Sequence, residues 1–242
     1  MKSLVLVSGG MDSATALAVA LHDIRRDKRD VAAISFRYDS KHNERETVAA
    51  IDVGSYYGIL QYVIRVPSEI FEGHSTLMKG GREIPNEEYH DADKESPSST
   101  VVPFRNAVFL SMAVALAEGH GFDRVYLGAH STDSLGFAYP DCSPEFLGAF
   151  AASVYIGTLR KVRLITPFAN LTKADVVSYA AKLGAPLHLT YSCYRGGDKP
   201  CGACPTCRER AKAFADAGYL DPGIPTSEWD TTKGYHIFPS GR

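Results

Sequence analysis

The sequence predicts an α/β protein built on a doubly wound, mostly parallel five-stranded sheet. Short apolar, β-branched runs recur at Leu4–Val7, Val31–Phe36, Tyr62–Val66, Val125–Ala129 and Val162–Thr166. Longer stretches with helical spacing separate them, at roughly Ser13–Arg25, Glu44–Tyr57, Asn106–Glu118, Pro144–Leu159 and Lys173–Leu183. Continuous apolar strands alternating with helices mark a parallel sheet covered on both faces. Such a sheet binds ligands beyond the carboxyl ends of its strands, near the point where strand order reverses. Chemistry is therefore expected just after each strand.

Bulk properties narrow the class. The 242 residues are 45% hydrophobic and 22% charged, and 26 basic against 28 acidic side chains give a formal net charge of −2. That length suits one large α/β domain over 1–190 with a small appendage over 191–218 and a tail over 219–242. The near-neutral charge lacks the footprint of a nucleic-acid binder, so no stable nucleic-acid partner is expected. The first apolar run stops at Ser8 after four residues, far short of the roughly 18 that a membrane span needs. A cytoplasmic protein with no membrane partner is the expectation.

The first strand runs directly into Ser8-Gly9-Gly10-Met11-Asp12-Ser13 and then a helix. Two glycines let backbone amides approach an anion without an intervening Cβ. The helix start adds unpaired N–H groups and the positive end of its dipole. Ser8 and Ser13 add hydroxyls, completing a cradle for phosphate. The turn lacks the Gly-Lys-Ser/Thr ending of ordinary P-loops and is too short for a dinucleotide loop. The bland alternative is a turn that merely caps a helix.

Residues 67–103 break the strand–helix rhythm, being polar and rich in Gly, Pro, Ser and acidic side chains. Loops this long are usually lids or disordered segments, and a lid over the site is the expectation. After the fifth strand, Lys173 opens a helix at a strand's carboxyl end, where it is placed to reach a phosphate; a solvated first-turn lysine is the alternative.

Four of the five cysteines crowd between Cys193 and Cys207, spaced as Cys193-x7-Cys201-x2-Cys204-x2-Cys207. Four thiolates so near in sequence close tetrahedrally around Zn²⁺, and a closed shell marks a structural site. Its binding energy, on the order of 10 kcal/mol, would pin the C-terminal segment. An iron–sulfur cluster and redox thiols remain open alternatives. Cys142 stands apart without an assigned role.

The Ser8–Ser13 turn resembles, letter for letter, the SGGxDS motif of the PP-loop ATP pyrophosphatases, which are Rossmann-like and adenine nucleotide alpha hydrolase-like in fold. Phe36-Arg37-Tyr38-Asp39-Ser40-Lys41-His42 resembles the F-x-Y-x-Q-x-H segment of the 7-cyano-7-deazaguanine synthase family. Val102-Pro103-Phe104-Arg105-Asn106 resembles its V-P-G-R-N, and Thr132-Asp133 with Tyr139-Pro140-Asp141-Cys142 its T-D…Y-P-D-C. The cysteine cluster resembles its zinc-binding end. Ser40 and Phe104 depart from the family pattern, and Phe104 is expected to place bulk beside the substrate site.

That resemblance implies an ATP-dependent carbon–nitrogen ligase acting on 7-carboxy-7-deazaguanine and ammonia. It makes the nitrile through adenylated intermediates and an amide, as a homodimer in queuosine and archaeosine biosynthesis. ATP and Mg²⁺ would serve the reaction and Zn²⁺ the structure. Ser8, Gly9, Gly10, Met11, Asp12 and Ser13 would bind ATP phosphates, with Ser35 and Phe36 under the adenine. Asp12, Lys173 and Arg105 are the implied catalytic residues, Asp12 helping to position Mg²⁺. Arg105, Asn106, Asp133, Tyr139 and Asp141 would bind the substrate; Asp141 or Asp133 would read the guanine-like edge, against simple helix capping. Phe137 is a second candidate for stacking, and His42 a minor candidate for phosphate or ribose. A tRNA-thiolating PP-loop enzyme and a non-catalytic nucleotide- or zinc-binding scaffold are the competing readings.

Overall fold

Strand β1 (Ser3–Leu6) is buried at all four residues, because it runs through the middle of the molecule. Its side chains divide by the two-residue period of a strand. Val5, with Val7 just beyond, joins a core under helices α1 (Met11–Asp23) and α6 (Lys173–Leu183), whereas Leu4 and Leu6 join a core under α3 (Arg105–His120). Two apolar faces on one strand demand helices on both sides of the sheet. The first core also takes Ala50 and Val53 of α2 (Asn43–Tyr57) and Phe214 of α7 (Pro205–Ala217); the second takes Val154 of α5 (Pro144–Gly157).

The computed structural model describes residues 1–23, 27–73, 75–86, 98–134, 138–225, 232 and 234–239. Within them, β2 (Val31–Arg37), β3 (Leu60–Arg65), β4 (Arg124–Tyr126) and β5 (Arg163–Ile165) join β1 in the order β3-β2-β1-β4-β5, every pair parallel. The expected doubly wound five-stranded sheet is present. Register places Leu4 between Ala32 and Val125. Strand order reverses between β1 and β4, so their carboxyl ends frame the crevice where a ligand is expected. Short strands β6 (Tyr219–Leu220) and β7 (His236–Ile237) pair outside this sheet. Among the described residues no helix is long and apolar enough to cross a membrane.

Several boundaries differ from the sequence reading. Helix α1 begins at Met11 rather than Ser13, inside the phosphate-type turn. The run Val125–Ala129 pairs only as far as Tyr126, with one further bond from Leu127 N–H to the Ile165 carbonyl (3.0 Å). Helix α5 stops at Gly157, and Leu159 and Arg160 then take left-handed φ of 50° and 67°. Strand β3 lies at the edge and is largely exposed, so the covering of both faces does not extend to it.

The stretch 67–103 has a packed stem. Phe71, Leu77, Met78, Ile84 and Val102 are buried in the α3-side core. Ser40 and Met78 form an antiparallel bridge, and Thr76 N–H donates to the Ser99 carbonyl (2.8 Å). Ser40 is thus a fastening point for this stem at the exit of β2. The lid expected here falls partly on residues 87–97, outside the described residues.

Candidate active site at the carboxyl edge of the sheet

The β1–α1 turn is shaped by its own hydroxyls. Ser13 Oγ donates to the Gly10 carbonyl (2.9 Å) and accepts from Ser8 N–H (3.1 Å), and Gly10 N–H donates to Ser8 Oγ (3.3 Å). Gly9 has φ of +92°, and a Cβ there would collide with the Glu46 carbonyl oxygen and lie 2.9 Å from Ala50 N. Only glycine allows the turn to sit this close to α2. Tyr191 N–H clamps the turn from outside by donating to the Gly9 carbonyl (2.9 Å). Ser8, Gly10, Asp12 and Ser13 line an open cavity, whereas the Met11 side chain is core and leaves only its backbone for a ligand.

Below the turn lies a charged cluster from four elements. Lys173, first residue of α6, is set by a capping box between Thr172 and Asp175. Its Nζ donates to Glu209 Oε2 of α7 (2.8 Å) and lies 3.4 Å from Asp12 Oδ2. His130 Nε2 lies 3.6 Å from Asp12 Oδ2 and 3.5 Å from Asp133 Oδ2. His130 enters from the β4 exit, where Gly128 makes room: a Cβ there would stand 2.7 Å from the Asp12 carbonyl oxygen. Burial alone would raise the Asp12 carboxyl, but Lys173 and His130 hold it below the usual carboxylate range. Burial likewise opposes the Lys173 charge, and Asp12, Glu209 and Asp133 together hold it above the usual lysine range. Burial pushes Asp133 up, against His130 and Lys173.

The opposite wall comes from β2, α2 and α3. Phe36 stacks on Phe109 with centroids 4.4 Å apart, and Ser35 Oγ donates to the Val7 carbonyl (2.6 Å). Asn43 ties the β2 exit, accepting from Tyr38 N–H (3.0 Å) and donating to the Phe36 carbonyl (3.1 Å). Arg105 Nη1 donates to the Tyr38 hydroxyl (3.2 Å). His42, at the N-cap of α2, lies one turn before Glu46, with its Nε2 3.4 Å from Glu46 Oε2. Burial pushes Glu46 up to about 8 against the pull of Arg105. Burial drives His42 down to about 3, Arg105 adding to the effect. Burial thus disfavours the charged form of both.

Beside this cavity the ligand atoms of Cys193, Cys201, Cys204 and Cys207 all lie within 4.8 Å of one another. A tetrahedral ion with Zn–S bonds of about 2.3 Å spaces its sulfurs by about 3.8 Å, so the donor set fits Zn²⁺. Cys204 caps α7 and Cys207 lies in its first turn. Two residues later the same helix presents Glu209 to Lys173.

Residues 2–218 match the model of the family described as queuosine biosynthesis protein QueC. The chain belongs to the QueC family. The 7-cyano-7-deazaguanine synthase of Desulfotalea psychrophila is 40% identical over 221 residues, covering 90% of this chain and 96% of the relative. The protein of the same name from Thermoplasma acidophilum is 40% identical over 225 residues, covering 91% and 90%. Among solved structures, an NH3-dependent NAD synthetase from Campylobacter jejuni has 16% identity and a TM-score of 0.45, covering 76% of this chain and 64% of that one. The family expected from the sequence motifs is the family found.

Within this QueC chain, Ser8, Gly10, Asp12, Ser13, Ser35, Phe36, Arg105, Asn106, Asp133 and Lys173 line one cavity. Tyr139 and Asp141 are not among its lining residues. Asp141 Oδ2 accepts from Asn106 N–H (2.9 Å) at the start of α3, and the Tyr139 hydroxyl bonds Thr100 Oγ1 (2.6 Å). Cys142 does line the cavity and takes the second bond of this motif, accepting from Asn106 Nδ2 (3.1 Å). Phe137 lies outside the described residues. The Phe104 expectation is corrected: the side chain is 64% exposed and packs edge-on against Phe146 instead of lining the cavity. Its φ of +53° explains why glycine suits the position. His130, Glu46 and Glu209 escaped the sequence reading. His130 alone carried a signal, its place directly after a strand; Glu209 meets Lys173 only through tertiary packing.

Proposed function

We propose that this chain is a 7-cyano-7-deazaguanine synthase that joins 7-carboxy-7-deazaguanine to ammonia and dehydrates the resulting amide to the nitrile. The observation that carries the reading is the meeting of Asp12 and Lys173, 3.4 Å apart, beneath the Ser8–Ser13 turn in a QueC-family chain. ATP supplies the adenylyl group that makes first a carboxylate oxygen and then an amide oxygen able to leave.

The turn holds the diphosphate end of the nucleotide with its N–H groups and the Ser8 and Ser13 hydroxyls. Phe36 and Ser35 form the adenine floor. Lys173 keeps its charge in the cavity and offsets the negative charge that grows on phosphate oxygens during transfer. Asp12, whose buried Oδ1 lacks a hydrogen-bond partner, is the residue that would hold Mg²⁺, which would neutralise phosphate charge. Arg105, steadied by Tyr38, clamps the substrate carboxylate, and Asn106 lies beside it. Asp133 borders the heterocycle site, while Tyr139 and Asp141 support its wall from behind. The cysteine knot holds Zn²⁺ structurally, and a homodimer is part of the same reading.

The test incubates the protein with ATP, Mg²⁺, ammonium and 7-carboxy-7-deazaguanine, following the nitrile by mass together with AMP and pyrophosphate. Nitrile with AMP and pyrophosphate is expected, and Asp12→Asn abolishes turnover while leaving the cysteine-bound metal in place. Release of ADP and orthophosphate, or turnover only on addition of tRNA, would overturn the reading.

A further inference from the structure

His130 is completely buried; its Nδ1 has no hydrogen-bond partner, and its Nε2 meets only carboxylates, beyond close hydrogen-bond distance. A buried ring nitrogen left unpaired costs roughly 1–3 kcal/mol unless something else satisfies it. What faces it is acidic: Asp133 Oδ2 at 3.5 Å and Asp12 Oδ2 at 3.6 Å. Glu209 closes the group, and the ligand atoms of His130, Asp133 and Glu209 all lie within 4.8 Å of one another. His130 at the β4 exit and Asp133 in α4 (Ser131–Ser134) are three residues apart, and the fold brings Glu209 of α7 to them. Asp133 and Glu209 also line the cavity, leaving an entry path and open coordination positions.

We propose that His130, Asp133 and Glu209 form a second metal site, separate from the cysteine knot, for a divalent first-row transition ion. Charge favours it. Asp12, Asp133 and Glu209 supply three carboxylates against the single ammonium charge of Lys173, which contacts Asp12 and Glu209. Donor type sets the class: carboxylates alone suit Mg²⁺, but an imidazole nitrogen among them shifts preference to transition ions. Lys173 Nζ bonds Glu209 Oε2 at 2.8 Å, so the ammonium and the cation share these carboxylates. The site shares Asp133 with the proposed substrate-binding wall, adds an ion that reading does not include, and needs no nucleotide.

Titration of the full chain, carrying its cysteine-bound metal, with Mn²⁺ in the absence of ATP tests this, with free Mn²⁺ read by electron paramagnetic resonance. Thiolates bind Mn²⁺ poorly, so the knot does not compete. A single bound Mn²⁺ per chain is expected, weakened at least about tenfold in His130→Asn and Glu209→Gln with the thiol-bound metal retained. Glu209→Gln stands independently, because His130 is buried and its replacement burdens the fold. Absence of bound Mn²⁺ in the wild type, or equal affinity in wild type and Glu209→Gln, overturns the site. Displacement by an equal concentration of Mg²⁺ overturns the assignment to a transition ion.

Discussion

Glu46 illustrates what a single buried carboxyl does to the whole chain. Its folded-state value, raised to about 8 from 4.5, means that the native protein keeps a proton that the unfolded chain releases. The contribution of Glu46 to stability therefore falls as pH rises from about 4.5 to about 8, and is flat on either side of that window. Glu46→Gln removes this dependence. The melting temperature of the variant relative to wild type should climb between pH 5 and pH 8, and a constant offset would contradict the burial of an uncharged Glu46. Legibility at this scale depended on distance along the chain. Asp12 and Ser13 were readable because the turn that uses them is contiguous. Lys173 was readable because it follows a strand. Glu209 was not, since its partner arrives from another element: Glu209 and Lys173 are 36 positions apart. Glu46 and His130 meet neighbours close in sequence, but their burial comes from tertiary packing.

Among the elements, α7 has the most to do. Arg210 fastens it, donating through Nε and Nη2 to the two Asp221 carboxylate oxygens (2.6 and 2.8 Å) and through Nη1 to Thr190 Oγ1 (2.8 Å). Arg210→Ala would leave Asp221 charged and buried without this fork. A loss of about 3–5 kcal/mol is expected in denaturant titrations; a change within experimental error would show that the pair is dispensable. From sequence, α7 appeared only as a short helix within the small appendage expected over 191–218. Its role was hidden because nothing in residues 206–217 announces that Arg210 turns inward. Elements with strong periodicity, such as α1 and α6, were legible almost to their ends. The short β4 was not, because Leu127–Ala129 are as apolar as a strand but are drawn past the start of α1.

At the scale of the whole molecule, strand order decides where chemistry occurs. The alternation of apolar runs and helices revealed a parallel sheet, and the reversal between β1 and β4 could be anticipated only in kind. That reversal brings the phosphate-type turn, His130 and Asp133 into one crevice, and β5 delivers Lys173 to the same edge. The cysteine knot then closes the crevice from the far end of the chain. Stripping the Zn²⁺ proposed for it with a strong chelator should therefore lower activity before the sheet melts. Far-UV circular dichroism would hold steady while nitrile formation is lost, and loss of both together would deny the knot a local role.

Because Cys207 and Glu209 are separated by less than a helical turn, an event at the thiols and an event at the nucleotide share a mechanical lever. Thermodynamic reciprocity then runs in both directions. If the metal steadies the grip on ATP, bound ATP must to the same degree steady the metal. Alkylating reagents should modify the four thiols more slowly when the nucleotide is present. An unchanged alkylation rate would mean that α7 transmits nothing between them.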